Sequence, residues 1–127
     1  MASNESMEMY LETVYILEKN HGHAHVSEVA ESLNVSKPSV TKAMKQLRSE
    51  GLIHKEPYGS ITLTEEGRLI SAKVHKKHRL ITLFLEHSLK LERIEAEKNA
   101  CKIEHILTNK MSTAIKEYLD ANGIDYK

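Results

Sequence analysis

The feature that most constrains the fold is the segment at residues 26–51, VSEVAESLNVSKPSVTKAMKQLRSEG. Its apolar residues repeat with helical spacing in two runs, which predicts a short helix, a tight turn and a second helix. Ser27 and Ser36 are the expected N-caps, and Pro38 falls in the first turn of the second helix, where its missing N–H costs nothing. Gly51 ends that helix. The segment therefore predicts a helix-turn-helix.

The flanking segments extend this motif. Residues 52–55 and 60–63 alternate like short strands around the turn EPYG, which predicts a β-hairpin. A helix over about residues 5–20 precedes the motif. The connection NHGHAH carries three histidines that could bind a metal, although we interpret it as a solvated loop. This order of elements is that of a winged helix-turn-helix, whose second helix enters the DNA major groove.

Charge is balanced over the whole chain but not along it. The 18 Lys and Arg residues equal the 18 Asp and Glu residues, yet five bases and one acid occupy residues 36–55, and five bases and no acid occupy residues 67–85. Solvated helix faces show such runs, and so do faces that bind nucleic acid. In a winged helix-turn-helix context we predict DNA contacts from Ser36, Lys37, Pro38, Ser39, Thr41, Lys42 and Lys45, with Tyr58 and Ser60 in the wing.

The second half of the chain is predicted to be entirely helical. Thr64 should cap a long helix, and two further helices should cover about residues 92–107 and 111–121. His78 falls within the apolar stripe of the long helix, so it needs a hydrogen-bond partner or a metal, the former being the simpler expectation. The predicted fold class is mainly α, with a winged helix-turn-helix at residues 1–66 and a helical domain at residues 67–127.

The only cysteine lies in the stretch NACKIEHIL. On a regular helix Cys101, Glu104 and His105 share about a third of a turn, and Glu97 joins them at the i−4 position. This face should point away from the packing face of the same helix, which is expected to comprise Ala96, Ala100, Ile103 and Leu107. Such donors can converge on one cation, but spacing alone leaves a metal site and a metal-free role both open.

Composition sets the expected cellular context. One cysteine excludes an internal disulfide framework and suits a reducing cytoplasm. The sequence has no apolar run of about 20 residues, and its polar start, MASNES, does not have the character of a signal peptide. A cytoplasmic protein with no membrane partner is expected.

Four stretches carry a family resemblance: SMEMYLETVYILE, VSEVAESLNVSKPSVTKAMKQLRSEGLI, LTEEGRLISAKVHKKHRLITLFL and ACKIEHIL. Together, over roughly residues 6–120, they resemble the diphtheria toxin repressor family of metal-dependent transcriptional repressors. The resemblance implies an N-terminal winged helix-turn-helix, a helical domain that forms a homodimer, and a divalent metal that acts as co-repressor.

The resemblance also implies a ligand set. Met9, in MEMY, matches the metal-ligand position on the first helix, and Cys101, Glu104 and His105 match the family's C-x-x-E-H ligands. His78, in KHRL, matches the histidine of a neighbouring second metal site. Glu12 matches a glutamate that binds metal in the manganese branch, and Glu97 stands where the iron branch has histidine. Thr82 replaces a second-site glutamate of that branch, so the second site is the weaker match.

The metal follows from the softness of these ligands. Thiolate and thioether suit Fe²⁺, Co²⁺, Ni²⁺ or Zn²⁺ better than Mn²⁺, which is a hard ion low in the affinity order. Among these four, cellular availability favours Fe²⁺. The chain length instead resembles the manganese-responsive branch, because the SH3-like domain of the iron branch is not present in this sequence. Fe²⁺ is the expected co-repressor, with Mn²⁺ as the alternative.

The leading functional hypothesis is a metal-activated, DNA-binding repressor of metal-ion homeostasis, and not an enzyme. It should bind a pseudo-palindromic operator as a homodimer and needs no small organic ligand. The dimer interface is expected to use Ile94, Leu107, Ile115 and Leu119. Two alternatives remain: a metal-binding helical protein or enzyme whose helix-turn-helix is only scaffold, and a regulator that binds DNA without metal.

Overall fold

A computed structural model describes residues 5–56 and 59–127, and the chain divides into two compact units, Met1–Ala72 and Lys73–Lys127. In chain order the elements are α1 (Glu5–His21), β1 (Ala24–His25), α2 (Val26–Leu33), α3 (Lys37–Ser49), β2 (Ile53–Lys55), β3 (Ser60–Leu63), α4 (Glu65–Leu89), α5 (Arg93–Ile103) and α6 (Asn109–Ala121). The predicted mainly α fold class is confirmed.

The helix-turn-helix consists of α2 and α3. Asn34 takes the left-handed conformation, with φ of 54°, and ends α2. The Ser36 hydroxyl accepts a hydrogen bond from the Ser39 N–H at 3.2 Å and caps α3, whose first turn contains Pro38 as predicted. These local signals fix the turn because each one satisfies or removes a backbone group that a helix end leaves free.

The start of α2 differs from the prediction. Its N-cap is His25 and not Ser27, and the His25 N–H donates to the Glu28 carboxylate at 3.0 Å in a capping box. His25 belongs to β1, where it pairs with Ser60 of β3. Because this strand pairing fixes the backbone of His25 in an extended conformation, the helix begins directly after it.

The sheet is antiparallel, with strand order β1-β3-β2. The predicted hairpin is present, with Ile53 opposite Leu63. The two-residue strand β1 was not predicted, because a pair of residues has no periodicity, and its place depends on the distant partner Ile61 opposite Ala24. The sheet and the three helices enclose an aliphatic core that includes Leu11, Val14, Val29, Val40, Met44, Leu47, Leu52 and Ile61.

The first turn of α4 is bonded to the chain segment before β2. The Thr64 hydroxyl accepts from the Gly67 N–H at 3.0 Å and donates to the Gly51 carbonyl at 2.7 Å. Gly67 is buried, and a Cβ added to it would overlap the carbonyl oxygen of Leu52. Glycine is therefore needed at this position for close approach of the helix to the chain.

In the second unit, α4, α5 and α6 share a core formed by Leu80, Ile81, Leu85, Ala96, Ala100, Ile115 and Leu119. Helix α5 ends at Ile103, and a turn replaces the helix that had been predicted to continue to Leu107. Two of the expected dimer residues, Ile115 and Leu119, are buried in this core and have no surface to offer a partner, whereas Ile94 is 72% exposed. No helix in the described ranges is long and apolar enough to cross a membrane.

Candidate metal centre and nucleic-acid interface

His78 and Glu104 are bonded to each other within the second unit. The Nδ1 atom of His78, on α4, lies 3.1 Å from Oε1 of Glu104, which follows the last turn of α5. The Nε2 atom of the same ring lies 3.7 Å from Oε2 of Glu97, within ion-pair range. His78 was predicted for the second metal site and Glu104 for the first, so one imidazole links residues of both.

The second oxygen of Glu104 is buried without a hydrogen-bond partner among the described residues. The residue is only 1% exposed. Burying a carboxylate oxygen with no donor is costly, and such groups are normally paired with a cation or bound to a metal. The donor set therefore fits a metal ion that would complete the coordination of this carboxylate.

The burial of Glu104 corrects the orientation predicted from the sequence. The face carrying Cys101 and Glu104 had been expected to point away from the packed side of α5, yet Glu104 is buried and Cys101 is half-buried. Glu104 keeps helical backbone angles, and its N–H donates to the Ala100 carbonyl at 2.9 Å. The prediction failed because the spacing on one helix takes no account of α4, whose His78 lies 3.1 Å from the Glu104 carboxylate. Donor atoms of Glu104 and His105 lie within 4.8 Å of one another.

The remaining predicted ligands lie on other elements. Met9 and Glu12 belong to α1 in the first unit, where Met9 is half-buried and Glu12 is 6% exposed. Glu97 is on α5, with about half of its side chain exposed at 49%. Thr82 is buried, and its hydroxyl donates to the His78 carbonyl at 2.8 Å, so it supplies a neutral group where the iron branch has a carboxylate.

The predicted DNA-contact residues of α3 form one exposed face. Ser36, Lys37, Pro38, Ser39, Thr41, Lys42 and Lys45 are all exposed, while Val40, Ala43, Met44 and Leu47 are buried on the opposite side. Within residues 5–56 and 59–127, no carboxylate lies within 4.0 Å of the Lys37, Lys42 or Lys45 ammonium group. The face is thus a set of cations that the first unit leaves available to solvent.

Two wing predictions have different outcomes. Ser60 is half-buried and pairs with His25 at the start of β3, and its carbonyl accepts from the Glu56 N–H at 2.8 Å. Tyr58 lies outside the described residues.

The role of Ser36 is more specific than predicted, because its hydroxyl caps α3 and donates to the Ser39 hydroxyl at 2.9 Å.

Sequence reasoning missed the contact between His78 and Glu104. The two residues are 26 positions apart and lie on different elements, so no local spacing could reveal it. One feature did indicate a partner, namely the position of His78 in the apolar stripe of α4.

Family models match both halves of the chain. Residues 3–61 match the iron dependent repressor N-terminal DNA-binding domain, and residues 64–125 match the iron dependent repressor metal-binding and dimerisation domain. Together these ranges cover nearly the whole sequence, and they agree with the resemblance noted from the sequence.

Individual relatives agree with this match. An uncharacterised HTH-type transcriptional regulator of Methanocaldococcus jannaschii is 35% identical over 118 residues, which cover 92% of this chain and 94% of that protein. The diphtheria toxin repressor of Corynebacterium efficiens is 32% identical, covering 91% of this chain and 50% of that protein. The chain thus spans about half the length of this second relative.

Solved structures share the fold. The T. acidophilum IdeR structure aligns with a TM-score of 0.83 at 26% identity, covering 98% of this chain and 56% of that chain. The structure of the manganese regulator SloR aligns with a TM-score of 0.78 at 28% identity, covering 94% of this chain and 55% of that chain. From both domain matches and these relatives, the chain belongs to the iron-dependent repressor family.

Proposed function

We propose that this protein is a transcriptional repressor that binds operator DNA when a divalent metal is bound, and that it controls metal-ion homeostasis. Its family consists of DNA-binding repressors and not enzymes. The observation that carries the proposal is the buried Glu104 oxygen without a hydrogen-bond partner in the described part of the chain. In this proposal residues 1–66 read DNA and residues 67–127 bind metal and form the dimer.

The proposed ligands are the Met9 thioether, the Cys101 thiolate, the Glu104 carboxylate and the His105 imidazole. Two soft sulfur donors favour Fe²⁺, and Mn²⁺ remains the alternative because relatives named for either metal share the fold. Glu12, His78 and Glu97 are the lower-ranked ligands. His78 is better suited to holding the Glu104 carboxylate in place than to binding a first metal, because its Nδ1 is already bonded to that carboxylate.

In this proposal the metal acts through its preference among the conformations of the protein. If metal prefers the arrangement that is competent for DNA, it shifts the population toward that state, and DNA must tighten metal binding in return. Coupling of this kind is typically about 1–3 kcal/mol, or roughly 5–150-fold in affinity. Thiolate and neutral imidazole are the binding forms, so acidification should weaken metal binding.

A dimeric reading unit is part of the proposal. Two recognition helices related by a two-fold axis read pseudo-palindromic half-sites about one helical turn apart. A cytoplasmic location is part of the same proposal, and the single cysteine suits it. The exposed apolar residues of the second unit, Leu89, Ile94 and Ile106, are available for such an interface. A monomer at micromolar concentration, by sedimentation with metal present, would contradict this part.

The test is a DNA titration. An operator is first enriched from a randomised duplex library with protein and Fe²⁺ under anaerobic conditions, and its affinity is then measured with Fe²⁺, with Mn²⁺ and without metal. We expect Fe²⁺ to raise affinity by roughly 5–150-fold. Cys101→Ala should remove this increase, whereas Lys98→Ala, an exposed change on the same helix, should retain it.

Each alternative has its own outcome. Equal metal stimulation of wild type and Cys101→Ala would refute the proposed ligand set. DNA binding that is strong without metal would support a constitutive regulator, and absence of DNA binding would support a metal-binding protein with a helix-turn-helix scaffold. Greater stimulation by Mn²⁺ than by Fe²⁺ would assign the protein to the manganese-responsive alternative. The double variant Met9→Asp, Cys101→Glu should prefer Mn²⁺ more strongly than the wild type does.

A further inference from the structure

A pocket of about 660 Å³ in the second unit is lined by basic residues of α4 together with α6 and the last residues of the sequence. Six cationic side chains contribute to it: Lys73, Lys76, Lys77, Arg79, Lys116 and Lys127. Among the described residues that line it, none is Asp or Glu. Four of these bases belong to the acid-free run at residues 67–85, which contains five bases in all. Neither the α3 face nor the Glu104 cluster explains that run.

Concentrating these cations opposes folding. Lys76 and Lys77 lie three and four positions after Lys73 on α4, where like charges repel each other. The chain as a whole has no net charge, so the cluster reflects local placement and not a general excess of base. A multivalent anion in the pocket would convert this repulsion into attraction.

The other walls of the pocket supply a helix N-terminus and an aromatic ring. Asn109 and Ser112 line the pocket from the first turn of α6, which is capped by Thr108 and contains no acid, so its positive end is not neutralised within that turn. Tyr126 contributes an aromatic ring to the pocket lining, and its hydroxyl donates to Asp120 at 3.3 Å. Burial, and then the negative charge of Asp120, raise the pKa of the Tyr126 phenol, so the ring stays neutral.

We propose that this pocket binds a small molecule that carries several phosphate charges and an aromatic group, as a nucleoside diphosphate does. The phosphates face the lysines of α4 and Lys116, and the aromatic group lies against Tyr126. The volume is in the range of about 300–1,000 Å³ found for small-ligand pockets, whereas a DNA backbone needs an open surface. The sequence had suggested no small organic ligand, and this inference departs from that expectation.

The test uses the full chain in EDTA, so it is independent of metal and operator. Calorimetric titration with ADP at low ionic strength should show binding that weakens as salt is added. Adenosine, which lacks phosphate, should not bind, and inorganic pyrophosphate should bind more weakly than ADP. Lys76→Gln with Lys116→Gln, both exposed, should weaken ADP binding by about tenfold or more, because each removes a charge-assisted contact.

The matched control is Lys98→Gln with Lys102→Gln, which makes the same change in charge at exposed positions of α5 outside the pocket. It should alter ADP affinity by less than about twofold. Equal weakening by the two double variants, or no ADP binding by the wild type, would overturn the proposal. A third outcome would also overturn it: the Lys76→Gln, Lys116→Gln variant loses affinity for random duplex DNA but keeps its affinity for ADP. The surface would then be a DNA-backbone contact.

Discussion

The outward face of α3 and the cluster around Glu104 use charge in opposite ways. On α3, Lys37, Lys42 and Lys45 are exposed, and no carboxylate within residues 5–56 and 59–127 lies within 4.0 Å of them. In the second unit Glu104 is buried, with one oxygen 3.1 Å from His78 and the other lacking a hydrogen-bond partner among the residues described.

These arrangements have different energetic consequences. An exposed cation costs little to leave unpaired, since water and salt screen it. A buried carboxylate oxygen is costly unless a cation compensates it. We therefore expect DNA binding to depend strongly on ionic strength and folding stability to depend strongly on metal, with the first property residing on α3 and the second at Glu104.

The largest expected effect is that of Glu104→Gln on stabilisation by metal. Wild-type protein at a free Fe²⁺ concentration 100 times its Kd should gain about 2.7 kcal/mol in free energy of unfolding. The variant should gain almost nothing, because the amide is a poor ligand. Anaerobic thermal unfolding with and without Fe²⁺ measures both. Glu117→Gln, the same change at an exposed position of α6, should behave as wild type.

His78→Gln should have the next largest effect. Removing the imidazole that holds the Glu104 carboxylate should lower Fe²⁺ affinity by about 10–100-fold, as is typical when the partner of a metal ligand is lost. Competition against a metal indicator gives the affinity. Glu97→Gln should have a much smaller effect, since that side chain is 49% exposed. A loss as great as that of His78→Gln would instead indicate an occupied second metal site.

Lys42→Ala tests the other side of the comparison. If Lys42 contacts a base edge, discrimination between operator and random duplex should fall by about 1–3 kcal/mol. If it contacts phosphate, affinity for both should fall and the salt dependence should become less steep. Fluorescence anisotropy over a range of salt concentrations distinguishes the two. Unchanged affinity for both DNAs would mean that this face of α3 is not the reading surface.

Ser36→Ala should have the smallest effect, on folding and not on metal. Loss of the cap to the Ser39 N–H should lower the free energy of unfolding by about 1 kcal/mol. Ser36→Asn keeps a capping oxygen and should retain most of that stability. Urea denaturation gives the stabilities, and operator affinity is measured in parallel. If both variants lose DNA affinity equally while only Ser36→Ala loses stability, the hydroxyl also contacts DNA.

Local patterns were sufficient for most of the helix-turn-helix. The Ser36 cap, the proline in the first turn of α3 and the period change into the hairpin each depend on neighbouring residues, and each is present. The strand β1 was missed because its formation depends on Ile61 and Ser60, far along the chain. The same pairing explains why His25 and not Ser27 caps α2.

The candidate metal cluster was harder to predict because it depends on a contact between two helices. Glu104 continues the helical backbone of α5, with its N–H bonded to the Ala100 carbonyl, but its carboxylate is buried and lies 3.1 Å from His78 of α4. Spacing identified the donor types but not this partner. Ile115 and Leu119 were assigned to a dimer interface from their apolar character alone, and tertiary packing inside the second unit accounts for them instead.

The tight join between Gly67 and the Leu52 carbonyl has a consequence for the order of folding. Thr64 and Gly51, which are bonded beside this join, are 13 positions apart, whereas the pairing of Ala24 with Ile61 closes a much longer loop. Closing a shorter loop costs less chain entropy. We therefore expect the hairpin and the first turn of α4 to form early and β1 to dock late. In stopped-flow kinetics Gly67→Ala should slow folding, whereas Ala24→Gly should mainly accelerate unfolding.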